Sequence, residues 1–239
     1  MRFRYLDILI NLFVVALMVS NLVAGKIIAI GDLRVSGAQV LFPLTYIFGD
    51  IFTEVYGYSA SRRAIWTGFI ASSVLAVMGL IIVALPPAPE WHDQLAFEKV
   101  FYNVPRNVIG SLIAYWCGEF ANAFVMAKLK MLTQGRLLWV RTIGSTVVGQ
   151  LIDTIIVVLF IFGGQANLQT LLTLIGSGYL VKVVYEAAAT PLTYFIVNGL
   201  KRIEGVDIFD RSTDFNPFAA APSAPMVDSQ SSTDPRAQV

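Results

Sequence analysis

The stretch FPLTYIFGDIFTEVYGYSASRR, residues 42–63, decides how the chain is read. It is apolar enough to cross a bilayer, yet it carries Asp50 and Glu54. Side chains four residues apart share one face of a helix, and Tyr46 falls one turn earlier on that face. An ionisable side chain at the centre of a bilayer costs at least about 2.5 kcal/mol. Two like charges on one stripe also repel each other. Span stability therefore does not explain them, and something polar is expected to meet them.

The rest of the chain supplies the membrane setting. Of 239 residues, 56% are hydrophobic and 14% charged, and the mean hydropathy is +0.68. That balance reads as an all-α membrane protein with several spans. A net charge of +1 offers no basic field for nucleic acid. Cys117 and His92 are single residues of their kind, so neither a disulfide framework nor a Cys/His metal site is expected. No Walker loop or nucleophile triad stands out either. The expectation is no cofactor, no metal and no enzyme activity, with transport or binding as the default.

Hydropathy divides the chain into six segments of bilayer-crossing length, near 6–30, 38–58, 64–85, 107–127, 139–163 and 169–199. The apolar run at the N-terminus continues to about Ile30 with no small-residue cleavage site, which predicts a retained first span. Only the connection 86–106 is long. Trp91, Leu95 and Tyr102 fall near one helical face there, so an interfacial helix and an irregular loop both fit. Composition turns polar from Lys201 onward. The expected division is a six-span domain over 1–210 and a disordered cytoplasmic tail over 211–239.

Basic residues give the orientation. Arg2, Arg4, Arg62, Arg63, Lys128, Lys130, Arg136, Arg141, Lys201 and Arg202 fall on one side of the segments; only Arg34, Lys99 and Arg106 fall on the other. The positive-inside rule puts both termini in the cytoplasm, as six spans require. The two three-span halves then run in opposite senses, which allows a 3+3 inverted repeat.

The intramembrane ionisable residues are Lys26, Asp50, Glu54, Glu119, Asp153, Lys182 and Glu186. Fully charged, two positive groups against five negative ones leave a net of −3. Pairing alone cannot neutralise that set, so protonation, a cation or a ligand rich in donors is required. Plain structural readings exist beside this one. Lys26 can snorkel to the interface, Lys182 and Glu186 can pair at i, i+4, and Asp153 and Glu119 can bond neighbouring helices. Asn21, Tyr46, Asn122, Gln150 and Tyr185 can share the inward faces, and Pro191 loosens the last span just after Glu186. Carboxylates beside amides and tyrosines suit a flat ring with adjacent N–H donors, such as a guanine-type edge. An amine, a guanidinium compound or a metal cation suits the same chemistry.

Several spans together carry a more specific pattern. Asn21 and Lys26 precede Phe42-Pro43, Asp50, Glu54, Tyr56-Gly57 and Arg62-Arg63. Later come Asn122 with Ala127-Lys128, Arg141 with Ser145-Thr146, Gln150 with Asp153, and Pro191 followed by Lys201 and Asp207. Over about residues 8–210 the chain resembles the queuosine precursor transporter family, six-span proteins grouped with vitamin-uptake-type transporters. The resemblance implies import of 7-deazaguanine bases, such as 7-cyano- or 7-aminomethyl-7-deazaguanine, across a bacterial inner membrane. On that reading Asp50 and Glu54 centre the site, and one or more of Glu119, Asp153 and Glu186 read the donor edge. Asn122 and Gln150 meet the carbonyl, Tyr46 or Tyr185 stacks, and Asn21 lines the pocket. Lys26 and Lys182 hold the charge of the empty site in check. The expected partners are the small-molecule substrate and the lipid bilayer, with no nucleic acid and a homodimer left open. A substrate-binding membrane subunit of an ATP-driven complex and a cation or polyamine transporter are the alternatives.

Overall fold

The computed structural model describes residues 3–23, 26–30, 33–101, 105–164, 167–211 and 213–219. Within them the chain forms seven helices and one short antiparallel ribbon. Helix α1 (Leu6–Val23) leads through β1 (Ile27–Ile30) and β2 (Leu33–Ser36) to a 3-10 turn at Gly37–Val40. Then come α2 (Phe42–Tyr56), α3 (Tyr58–Ala84), α4 (Gln94–Phe101), α5 (Pro105–Leu132), α6 (Leu138–Phe162) and α7 (Leu168–Glu204). Among the described residues, α1, α3, α6 and α7 are long and apolar enough to cross a membrane.

The first two expected segments are built differently from simple crossings. The first helix ends at Val23, and the chain turns into a ribbon pairing Ile27 with Ser36 and Ile30 with Leu33. β-Branched runs separated by the two residues Gly31-Asp32 carry a hairpin signal, which hydropathy averaging hides. The second segment is a 3-10 turn followed by a 15-residue helix. At 1.5 Å per residue, α2 covers only about 22 Å, short of a hydrocarbon core about 30 Å thick. Pro43 sits at its start, where a missing N–H costs nothing, and Gly57 ends it at φ +81°. In the 86–106 connection the helix forms as α4, with Gln94 donating to the Val83 carbonyl of α3 and Phe101 packed over Gly79. Tyr102 lies outside the described residues.

α2 is the axis of the bundle. Ile47, Phe48, Ile51, Phe52, Val55 and Tyr56 are all buried, so nearly every face of this helix meets protein. Phe13 of α1 packs edge-on against Phe52, and α3, α5 and α7 complete the surround. The outer helices turn large apolar side chains outward, among them Val15, Ile70, Val77, Leu180 and Phe195, as a lipid-facing surface requires. Between α5 and α6 the contact runs through Gly118 and Gly149. A Cβ on Gly118 would lie 2.9 Å from the Asp153 Cβ, and one on Gly149 would lie 2.8 Å from the Asn122 Cβ. Glycine here lets two backbones approach closely and sets the depth of both polar side chains.

The basic helix ends converge. Asp7 of α1 pairs with Arg63 of α3 at 3.1 Å. Glu204, which ends α7, accepts the N–H groups of Arg4 and Tyr5 at 3.0 and 2.8 Å and the Tyr56 hydroxyl at 2.9 Å. The starts of α1 and α3 and the ends of α2 and α7 thus share one end of the bundle.

The chain does not leave this end after α7. The Tyr58 N–H donates to both Asp210 carboxylate oxygens at 3.1 Å, and its hydroxyl donates to the Phe215 carbonyl at 3.0 Å. Arg62 donates to the carbonyls of Asp214 and Asn216, and Trp66 donates to that of Pro217. Residues 213–219, grouped with the tail on composition, therefore lie against α3 as a strap. Residues 220–239 lie outside the described residues.

Candidate functional site

Asp50 and Glu54 do share a face of α2, and Glu54 is wholly buried. Its surroundings are cationic. Arg141, at the start of α6, grips it with two parallel bonds, Nε to Oε2 at 2.9 Å and a terminal guanidinium nitrogen to Oε1 at 2.6 Å. Lys201 near the end of α7 donates to Oε1 at 2.6 Å. Lys130 near the end of α5 lies 3.8 Å from Oε1 and donates to the Glu54 carbonyl, to Asp207 and to the Ile208 carbonyl, each at 2.6 Å. Asp207 closes the set by pairing with Lys201 at 2.9 Å. Burial alone would raise the Asp207 carboxyl, but Lys130 and Lys201 outweigh it and hold it below the usual aspartate range. Three cations against two carboxylates leave Glu54 fully satisfied. Four helix ends are tied there.

One turn up α2 the balance reverses. Asp50 and Glu186 are each 1% exposed, Glu119 6% and Asn122 8%. Asp50 faces Glu186 of α7 and both Glu119 and Asn122 of α5. Oδ2 of Asp50, Oδ1 of Asn122 and both carboxylate oxygens of Glu186 lack a hydrogen-bond partner. All four atoms are acceptors, so the cluster lacks donors. Glycine brings the parts together: a Cβ on Gly49 would lie 3.0 Å from Glu119 Oε2.

The neighbouring polar residues form its border. The Tyr46 hydroxyl donates to Gln150 Oε1 at 2.8 Å. Lys182 and Asp153 form a short ion pair across α6 and α7. Since both Glu186 oxygens lack partners, the Lys182–Glu186 lock suggested by their spacing does not form. The Tyr115 hydroxyl, also without a partner, lies near Glu119.

The remaining expected site residues sit elsewhere. Asn21 donates its amide to Ser72 Oγ at 3.0 Å, joining α1 to α3. Lys26 is exposed where the ribbon begins, and Tyr185 is 49% exposed on the outer face of α7. The excess of carboxylates is localised differently from the sum read off the sequence. Arg141, Lys130 and Lys201 account for Glu54, Lys182 accounts for Asp153, and Asp50, Glu119 and Glu186 remain. The sequence pattern contained Arg141, Lys201 and Asp207, but nothing in their spacing joined them to Glu54.

The vitamin uptake transporter family, described as "Putative vitamin uptake transporter", matches over residues 36–196. That is more than half of the chain and includes every member of the donor-poor cluster. The chain belongs to this family. It is also 29% identical to the "Probable queuosine precursor transporter" of Bacillus subtilis (strain 168) over 176 residues, covering 73% of this chain and 77% of that protein. No solved structure matches. A family of transporters and several apolar helices long enough to span a bilayer make this a multi-pass membrane transporter, as the resemblance implied.

Proposed function

We propose that this transporter imports queuosine precursors, 7-deazaguanine bases such as 7-cyano- or 7-aminomethyl-7-deazaguanine, across a bacterial inner membrane by alternating access. The observation that carries the reading is the set of buried acceptors without donors on Asp50, Asn122 and Glu186. A guanine-type edge offers a ring N–H beside an exocyclic amine, and one carboxylate accepts both in parallel. Asp50 and Glu186 read that edge, Glu119 and Asn122 complete the contact, and Tyr46 with Gln150 borders the ring. The Lys182–Asp153 pair holds the flank. The name of the Bacillus subtilis relative supports the substrate class.

The burial of these groups fits a closed stage between outward- and inward-facing forms. The basic residues at the converging helix ends support cytoplasmic termini. With the 3-10 turn at Gly37–Val40 and α2 making the second crossing and α5 the fourth, the chain passes six times. The halves α1–α3 and α5–α7 then run in opposite senses, as an inverted repeat does. Protons bound by the central carboxylates are the candidate coupling ion.

The test is uptake of labelled 7-cyano-7-deazaguanine by cells that cannot make it, with and without this protein, and with Asp50→Asn and Glu186→Gln at matched membrane levels. Protein-dependent uptake lost in both variants is the expected result. No uptake of either deazaguanine would sink the substrate assignment. Three carboxylates with no cation also suit an organic cation or polyamine; uptake competed by a polyamine and untouched by guanine-like bases would favour that second reading.

A further inference from the structure

The meeting of Asp50 with Glu186 has a chemical consequence of its own. Both side chains are 99% buried, and both are acceptor-only when ionised. The groups around them can be named helix by helix. α5 presents Glu119, Asn122 and Tyr115; α2 and α6 present Tyr46 bonded to Gln150; α6 and α7 present Asp153 paired with Lys182. α1 and α3 bring apolar Phe13, Leu17, Ala60 and Ala64 to α2, while Asp7 and Arg63 pair with each other away from it. Three further cations are committed elsewhere: Arg141, Lys130 and Lys201 lie on Glu54 one turn along. No donor in this inventory reaches the Glu186 oxygens.

Two carboxylates pressed together without a cation repel, and burial strengthens that repulsion. A single proton changes its sign. With one carboxyl protonated, its O–H donates to an oxygen of the other, and the repulsion becomes a hydrogen bond. We infer that Asp50 and Glu186 share one proton in the closed, ligand-free transporter, and that the N–H donors of the base displace it. This rests on the transport reading above and deepens it, since it fixes how proton and substrate relate at the same atoms. On displacement the carboxyl O–H bond breaks and the proton leaves to water. The base keeps its N–H bonds and donates them to the two carboxylates in the proton's place. Proton and substrate therefore compete, so an acidic outer solution slows uptake instead of driving it.

The ligand-free arm needs no knowledge of the substrate. Infrared spectra of the purified protein at neutral pH, with Glu119→Gln as the common background, are expected to show the C=O stretch of a buried protonated carboxyl, absent when Asp50→Asn or Glu186→Gln is added. A control variant, Glu90→Gln in the 86–106 connection, keeps it. Absence of the band, or its survival in both variants, overturns the shared proton. In the ligand arm, 7-cyano-7-deazaguanine is added to weakly buffered protein. The expected result is release of about one proton, with affinity rising about tenfold per pH unit in the range where the pair is protonated. Binding with no proton release and no pH dependence overturns the competition while leaving the substrate assignment standing. A band without any binding of the base leaves the proton pair standing and removes the assigned substrate. Size-exclusion profiles matching wild type exclude misfolding, since both substitutions keep side-chain shape.

Discussion

Asp50 and Glu54 are the same kind of group on the same face of the same helix, one turn apart, and they live in opposite surroundings. Glu54 has a bidentate guanidinium, a bonded ammonium and a second ammonium nearby. Asp50 has two more carboxylates and an amide, with acceptors left over on three residues. A buried charge that is fully paired holds a structure in one arrangement. A buried acceptor with nothing to accept waits for a partner that comes and goes. On the proposed function, one helix serves as anchor at its end and as ligand platform one turn earlier.

The largest effect separating the two is expected from Glu54→Gln. It leaves Arg141, Lys130 and Lys201 against Asp207 alone, in a site where Arg141 and Lys130 are each 1% exposed. Breaking a buried ion pair by removing one partner costs about 3–5 kcal/mol. Thermal unfolding of the purified protein is expected to shift down strongly, with expression falling alongside. Arg141→Lys sharpens the point: it keeps the charge but gives up the parallel bonds, so a smaller drop is expected. Equal melting temperatures for wild type and Glu54→Gln would mean that the cluster does not anchor the helix ends.

Asp50→Asn and Glu186→Gln come next and are expected to act on transport alone. Each replaces a carboxyl by an amide of the same shape and adds no charge to the crowded set, so stability is expected to hold. A lost hydrogen bond to a charged acceptor costs about 1.5–3 kcal/mol, on the order of ten- to a hundredfold in substrate affinity. Equilibrium binding of the labelled base, read beside a melting curve, checks both halves of that statement. A variant that binds normally and melts low would reverse the roles assigned to the two carboxylates.

Much of this contrast was legible in the sequence, and the missing part has a physical cause. Helical spacing put Asp50 and Glu54 on one face, and the sum over intramembrane groups pointed to an excess of carboxylates without assigning it to Asp50, Glu119 and Glu186. Periodicity is a local property, however. Arg141 lies 87 residues from Glu54 and Lys201 lies 147 away, and only the packing of α6 and α7 around α2 brings them there. Those cations were read as orientation signals because they stand beside span ends. The extra helix ends around α2 are what let them reach inward. In the same way Asn21, Lys26 and Tyr185 have suitable chemistry for a site, but Asn21 is spent on Ser72 and the other two face outward. The ribbon after α1 escaped because a hydropathy window scores Ile-Ile-Ala-Ile as more membrane helix, whereas β-branched residues bounded by glycine also fit strands.

A smaller effect is expected where backbone packing sets the depth of the platform. Gly149→Ala drives a methyl to within 2.8 Å of the Asn122 Cβ, a backbone-anchored atom that cannot swing away. Overpacking of that kind costs about 1–3 kcal/mol. Since Asn122 borders Asp50, substrate affinity is expected to fall with stability. Gly176→Ala is the matched control, because no atom lies within 4 Å of the added carbon. If both alanine variants behave alike, the α5–α6 contact is not what positions Asn122.

The weakest effect is expected at the strap, and it tests how far the anchored end extends. Truncation after residue 219 keeps every described bond between the strap and the helices and is expected to leave melting temperature and uptake unchanged. Truncation after residue 211 removes the carbonyls that accept from Tyr58, Arg62 and Trp66. Phe218, which packs by Trp66 and Trp116 at 5.7 and 5.6 Å between ring centroids, is lost with them. A lost neutral hydrogen bond amounts to about 1 kcal/mol, and less where the donor regains water at the bundle end. The Glu54 cluster keeps all its members in this truncation, since Asp207 and Ile208 precede the cut. A modest fall in melting temperature with uptake retained is therefore expected. A fall as large as that of Glu54→Gln would move the anchor from the ion cluster to the strap.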